Sequence, residues 1–333
     1  MGLIAIEEHW TAPELTAMLK ALPSGEQDDS LAFNEMGDKL ARLEDIGDGR
    51  IAAMDSQGID LSVLAVAPPA TGPLRPADAV ALCRDLNDRA GAAVERYPTR
   101  LRALATLPMA EPRAVAAELE RAAGLGAVGA MVYGRTGETP LDDPRYDELF
   151  AVAAALGLPI FIHPQIPSAA VRSASYSGLG AMTDLALATF AWGWHLEAGL
   201  AALRLIARGT FDRHPDLQII LGHWGELLLF WLDRANSLTR IGGLSRSVSE
   251  YVRSNFFITA SGMLNPALLR HVLEVTSIDR LIFSTDYPFQ QPTRAELQAF
   301  LSEFATAEAR TAFSEGNARR LFRLEHADGQ KEQ

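Results

Sequence analysis

Carboxylates and imidazoles recur in this chain at the ends of short apolar runs, a pairing suited to metal binding or proton transfer. The first run, Leu3-Ile4-Ala5-Ile6, passes straight into Glu7-Glu8-His9. A short apolar run reads as a strand buried on both faces. Side chains alternate along a strand, so Glu7 and His9 share one face while Glu8 points away from the chemistry. A carboxylate and a histidine side by side at a buried strand end are costly unless something compensates them, and a bound cation does so. The arrangement returns in Ile162-His163-Pro164, in Leu221-Gly222-His223 and in Phe283-Ser284-Thr285-Asp286. Taken singly, each residue has a plainer reading as a cap or a hydrogen-bonded polar group. Their coincidence at separate strand ends favours one common centre. His195, His214, His271 and His326 fall on helices, helix ends or the tail and stay outside it.

The elements that must position these groups follow from periodicity. After the first strand, buried strands are predicted at Leu61–Val66, Leu101–Thr106, Val128–Val132, Pro159–Ile162, Leu217–Leu221, Phe256–Ile258 and Arg280–Phe283. Helical spacing separates them, including Leu40–Gln57, Asp142–Leu156, Thr183–Arg208 and Glu226–Arg240, and Gln165–Met182 reads as an active-site loop or lid. Strands alternating with helices along nearly the whole chain are the pattern of an α/β fold of the (β/α)8 TIM-barrel type. Residues 1–325 are read as a single barrel domain and 326–333 as a polar tail. Barrel active sites lie at the C-terminal strand ends, which brings Glu7, His9, His163, His223 and Asp286 to one mouth. The string Gly124-Leu125-Gly126-Ala127-Val128-Gly129 matches a dinucleotide fingerprint, but it runs from helix into strand, the reverse of the required order.

Composition narrows the partners. With 48% hydrophobic and 22% charged residues the chain is an ordinary globular protein, and its net charge of −12 argues against nucleic acid and anionic membranes. The lone Cys83 excludes an intramolecular disulfide and a cysteine-rich zinc site. Glu7 and Glu8 interrupt any signal peptide, and the longest tempting run, Leu185–Trp194, falls short of the roughly 20 apolar residues of a membrane span. A cytoplasmic protein is expected.

Ala5-Ile6-Glu7-Glu8-His9, Ile162-His163-Pro164, Leu221-Gly222-His223-Trp224-Gly225-Glu226 and Phe283-Ser284-Thr285-Asp286-Tyr287-Pro288-Phe289 carry a resemblance. Their order and spacing resemble the amidohydrolase superfamily, specifically its amidohydrolase-2 (ACMSD-like) branch and the gamma-resorcylate, 2,3-dihydroxybenzoate and 5-carboxyvanillate decarboxylases within it. The similarity runs through to Asn317-Ala318-Arg319-Arg320-Leu321-Phe322. It implies one divalent ion, Mn²⁺ or Zn²⁺, on Glu7, His9, His163 and Asp286, a donor set that suits either ion. It also implies His223 and Glu226 as a pair beside the metal, Arg234 as support for that cluster or the substrate, and a homodimer or homotetramer.

The implied activity is that of a carboxy-lyase acting in aromatic catabolism on a small aromatic carboxylic acid of the ortho-hydroxybenzoate type. Direct cleavage of an aryl–carboxylate bond would leave an aryl anion. Protonating the ring carbon first avoids it, and Asp286 is the expected acid, with the metal gripping the carboxylate and ortho oxygen. His223, steadied by Glu226, is expected to relay protons or bind a ring hydroxyl, and Phe289, with Trp192 or Trp194, to wall the ring. Two alternatives stand beside this: a metal-dependent hydrolase of a lactone or amide, and a non-catalytic metal-binding protein. Against hydrolysis, the first strand ends in Glu7-x-His9 where many hydrolases of the superfamily carry His-x-His; the carboxylate weakens the metal as a generator of hydroxide. Ala67 and Gln165-Ile166 depart from the decarboxylase pattern in loops that face the substrate.

Overall fold

The structure is a computed structural model and describes residues 2–324. Among these residues the strands of a barrel are β1 (Ile4–Trp10), β2 (Leu61–Val66), β3 (Leu101–Ala103), β4 (Ala105–Thr106), β5 (Ala130–Tyr133), β6 (Ile160–His163), β7 (Ile219–Leu221), β8 (Phe256–Thr259) and β9 (Leu281–Ile282). Every neighbouring pair is parallel, β1–β2–β3 in one run and β4–β5–β6–β7–β8–β9 in another. β3 and β4 form one stave broken at Leu104, whose N–H donates to the Leu64 carbonyl while the Ala105 N–H donates to that of Gly129. The Ile6 N–H donates to the Phe283 carbonyl at 3.2 Å, which closes the ring. The polar tail expected over 326–333, with His326, lies outside the described residues.

Alternation divides the core into two layers. Ile4, Ile6, Val63, Ala65, Leu104, Met131, Phe161, Ile220, Phe257 and Ile282 fill the barrel interior. Ala318, Leu321 and Phe322 of the final helix (Asn317–Phe322) join that cluster, capping the end where the strands begin. The opposite strand faces, with Ala5, Leu64, Val132, Ile162 and Leu221, pack under the surrounding helices. Burying each such aliphatic side chain contributes about 1.5–3 kcal/mol.

Several predicted helices are divided. Leu40–Gln57 is two helices, Lys39–Glu44 and Asp48–Gln57, parted at Asp45, whose backbone is extended. Thr183–Arg208 breaks between Ala181–Ala188 and Gly193–Ala207, and Glu226–Arg240 is a series of short turns. Loops at the C-terminal strand ends bear the excursions. Residues 11–38 carry helices Pro13–Lys20 and Leu31–Asn34, and the expected lid carries Ala169–Ser175. The two excursions meet through an Arg172–Asp29 ion pair and an edge-to-face contact of Phe33 with Phe190 at 5.1 Å.

Candidate active site

β1 does not deliver its polar residues by simple alternation. Ile4 and Ile6 face the barrel interior, so an unbroken strand would turn Glu8 inward and Glu7 and His9 outward. A β-bulge corrects this: Ile6 pairs with Val63 and Glu8 with Leu64, leaving Glu7 as the extra residue at φ 69°. A bulge re-aims the side chains that follow it. Glu7 and His9 thereby join Ile6 on the inner face. Asp286, beyond β9, also has a left-handed backbone (φ 62°). Non-glycine residues in that region cost of order 1–3 kcal/mol and persist where the surroundings hold them.

The ligand atoms of Glu7, His9, His163 and Asp286 lie within 4.8 Å of one another. His9 Nε2 is 3.2 Å from Asp286 Oδ1, and His163 Nε2 is 3.7 Å from Glu7 Oε1. Glu7 Oε2 accepts hydrogen bonds from the hydroxyls of Ser261, Thr259 and Ser284. Glu7 Oε1 and His9 Nε2, both buried, have no hydrogen-bond partner among the described residues. His163 Nδ1 lies 2.7 Å from the Pro164 carbonyl, which can only accept; Nδ1 therefore carries the proton and the Nε2 lone pair faces the cluster. Burial holds His9 down at about 3 and His163 well below the usual range, so both rings are neutral. Burial pushes Glu7 up to about 8, against the charge of His223 and with that of Asp286. Asp286 rises to about 7 by burial, opposed by His223 and assisted by Glu226. Two neutral imidazoles, two carboxylates short of partners and orphaned atoms aimed at a common point fit a divalent cation.

Beside this cluster, β7 runs into Gly222 and then a hook. His223, Trp224, Gly225, Glu226 and Leu227 all have positive φ, so the helix start read from the sequence is a tight reversal. The hook folds Glu226 back under His223, with Oε1 at 2.8 Å from Nδ1, while the His223 N–H donates to Ser261 Oγ at 2.8 Å. Burial pushes the His223 pKa down, but the charge and hydrogen bond of Glu226, with Glu7 and Asp286, outweigh it and carry it to about 10. Burial likewise raises Glu226, yet the charge of His223 and the hydrogen bonds from His195 and His223 bring it to about 2. The pair is an imidazolium and a carboxylate. A Cβ on Gly222 would meet Ser261 Oγ at 2.8 Å, Glu7 Oε1 at 3.0 Å and Glu226 Oε1 at 3.1 Å, so the absent side chain is what lets the two groups adjoin.

Of the walls expected from sequence, the Phe289 ring stands 5.7 Å from that of His9. Trp194 is half-buried against a small cluster of Ile166, Tyr176 and Ala188, and Trp192 is exposed in the break between two helices. Arg234 is exposed on the short helix Leu232–Ala235 and has no hydrogen bond or ion pair among the described residues; the structure does not bring it to the cluster. Ala67 is buried, its N–H donating to the Trp10 carbonyl, and Gln165 accepts from the Arg135 N–H.

Four residues were not legible as site members. His195, assigned to a helix, places Nδ1 2.7 Å from Glu226 Oε2. Lys39 puts its ammonium 5.9 Å from the Phe289 ring centre, and its charge acts on Asp286. Glu8 faces away from the cluster as expected but is not idle: it accepts from the N–H and hydroxyl of Thr285, directly before Asp286. Arg50, buried behind it, donates to the His9 carbonyl at 2.6 Å and stacks on the Tyr287 ring at 4.5 Å. An aromatic-rich turn ahead of His195 was its only sequence signal.

Residues 32–324 match a family model described as Amidohydrolase. The chain is 36% identical to "Decarboxylase orsB" of Emericella nidulans, over 88% of this chain and 87% of that one. It is 33% identical to a gamma-resorcylate decarboxylase of a Rhizobium species, over 98% and 99% of the two chains. Among solved structures it is similar to 5-carboxyvanillate decarboxylase from Novosphingobium aromaticivorans complexed with manganese and 4-hydroxy-3-methoxy-5-nitrobenzoic acid. The TM-score is 0.88 and the identity 28%, covering 97% of this chain and 96% of that one.

Proposed function

The chain belongs to the amidohydrolase family and is a carboxy-lyase of aromatic acids; on that premise we propose that it decarboxylates a 2-hydroxybenzoate-type acid without oxidation, using manganese. The observation that carries this reading is the buried set Glu7, His9, His163 and Asp286, with orphaned ligand atoms and an imidazolium–carboxylate pair beside it. We assign the four residues to one divalent ion. When bound, that ion supplies a Lewis-acid anchor for the substrate carboxylate and ortho oxygen.

The remaining work falls to side chains. Asp286 is the partly open member of the set, 13% exposed, and we assign to it the proton that the ring carbon receives. It donates that proton to the ring carbon bearing the carboxylate. The C–C electron pair then returns to the ring, CO₂ leaves, and aromaticity is restored. Asp286 regains a proton from solvent or from His223, which Glu226 keeps charged and oriented toward the ring oxygen. Phe289 walls the ring beside His9, and Lys39 offsets the negative charge at the mouth. The loops bearing Ala67 and Gln165-Ile166 leave the ring substituents open. Exposed Leu179, Met182, Trp192 and Trp231 support a homo-oligomer.

The test is CO₂ release by the manganese-loaded protein from salicylate, its 6-methyl derivative, 2,3- and 2,6-dihydroxybenzoate and 5-carboxyvanillate. Turnover of at least one is expected. Turnover of none, with hydrolysis of a lactone or amide instead, overturns the proposal.

A further inference from the structure

We propose that His195 is a positioning residue that sets the orientation of His223 through Glu226. The inference rests on the reading above, in which His223 handles the proton or the ring oxygen.

His195 Nε2 lies 3.0 Å from the Phe190 carbonyl oxygen, which can only accept a hydrogen bond, so Nε2 carries a hydrogen. Nδ1 lies 2.7 Å from Glu226 Oε2. An ionised carboxylate also only accepts, so Nδ1 carries a hydrogen as well. His195 is therefore an imidazolium that donates at both ends. Glu226, itself fully buried, then receives one charge-assisted bond on each oxygen, from His195 and from His223. With both oxygens held, the carboxylate plane cannot turn without breaking a bond. The His223 ring, tied to that plane through Nδ1 and to Ser261 through its backbone N–H, is fixed in turn.

The far end of this chain of bonds is anchored away from the chemistry. Phe190 sits in the break between helices Ala181–Ala188 and Gly193–Ala207, and its ring packs edge-to-face on Phe33 of the other excursion. The two segments covering the mouth thus hold the carbonyl that holds His195. Without His195, Oε2 loses its partner inside the protein and the carboxylate is free to rotate. The loss falls on the geometry of the reacting groups rather than on substrate binding.

Kinetics of His195→Leu and His195→Gln in the manganese-loaded protein test this on whichever aromatic acid the wild type decarboxylates. Leu is expected to lower kcat by about 10- to 100-fold with KM within about twofold, as for a misplaced reacting group. Gln, whose amide can still donate to Oε2, is expected to recover most of that loss. A wild-type kcat in the Leu variant, a loss carried by KM, or a Gln variant as slow as Leu overturns the proposal. Histidine ¹⁵N NMR of the zinc-loaded wild type reads the ring without any substrate. Both His195 nitrogens are expected in the protonated range at pH 7, and one unprotonated nitrogen overturns the inference. If no aromatic acid is decarboxylated, the proposed function falls while the NMR result still decides His195.

Discussion

Glu7 has one oxygen satisfied by three hydroxyls and another with no hydrogen-bond partner among the described residues. With its pKa raised to about 8 and that of Asp286 to about 7, the cation-free cluster holds protons at neutral pH that a metal must displace. Protons compete for the raised carboxylates, so metal affinity is lost as pH falls through 8 and 7. Manganese titrations in buffers of different ionisation enthalpy should show release of about one to two protons per ion at pH 7, and weakening of about 10- to 100-fold per unit between pH 7 and 6. Affinity independent of pH over that range would contradict the raised carboxylates. Asp286→Asn should leave the fold intact by circular dichroism and lower kcat on the order of 10²–10⁴-fold. Wild-type turnover in that variant would remove Asp286 as the acid.

Two local departures from regular structure build the site: the bulge at Glu7 and the hook from His223 to Leu227. Gly222 stands where both meet, at a φ of −74° that any residue adopts, so an added methyl group there tests space alone. Gly222→Ala should force apart Ser261, Glu7 and Glu226, with a manganese affinity and kcat each reduced by about tenfold or more, while melting changes by only the about 1–3 kcal/mol typical of overpacking. An unchanged kcat and affinity would show that the two groups can separate without cost. These departures also mark where the sequence stopped being readable. The strands and their polar ends were legible because apolar runs of strand length stop at Glu7, His163, Gly222 and Ser284. The bulge was not, since nothing in Ile-Glu-Glu announces a left-handed residue; the face shared by Glu7 and His9 came out right, but the reason it faces inward did not. In the hook only Gly225 signals a turn, and the leucines after it carry helical spacing. His195 was hidden by its helix, since contacts over 31 residues with Glu226 arise only once the barrel closes.

At the scale of the molecule the two ends of the barrel are treated differently. The final helix caps one end with Ala318, Leu321 and Phe322, while the mouth is covered by excursions that turn large apolar side chains outward. Leu179 is 65% exposed, Met182 62%, Trp231 68% and Ile241 77%, and they come from two segments joined by the His195–Glu226 contact. Large apolar side chains left this exposed on the segments over the mouth are what an association surface would bury. The same covering segments hold Phe190, so assembly would steady the anchor of His195. The protein should sediment as a dimer or tetramer at micromolar concentration. Burying a large apolar side chain is worth about 1.5–3 kcal/mol, so removing two should cost about 3–6 kcal/mol, or about two to four decades in the dissociation constant. Met182→Glu combined with Trp231→Glu should therefore sediment as a smaller species. Because neither residue belongs to the metal set, manganese binding serves as the control and should persist in the dissociated form. A wild-type protein that sediments as a monomer, or a double variant with unaltered assembly, would show that these side chains meet no second copy.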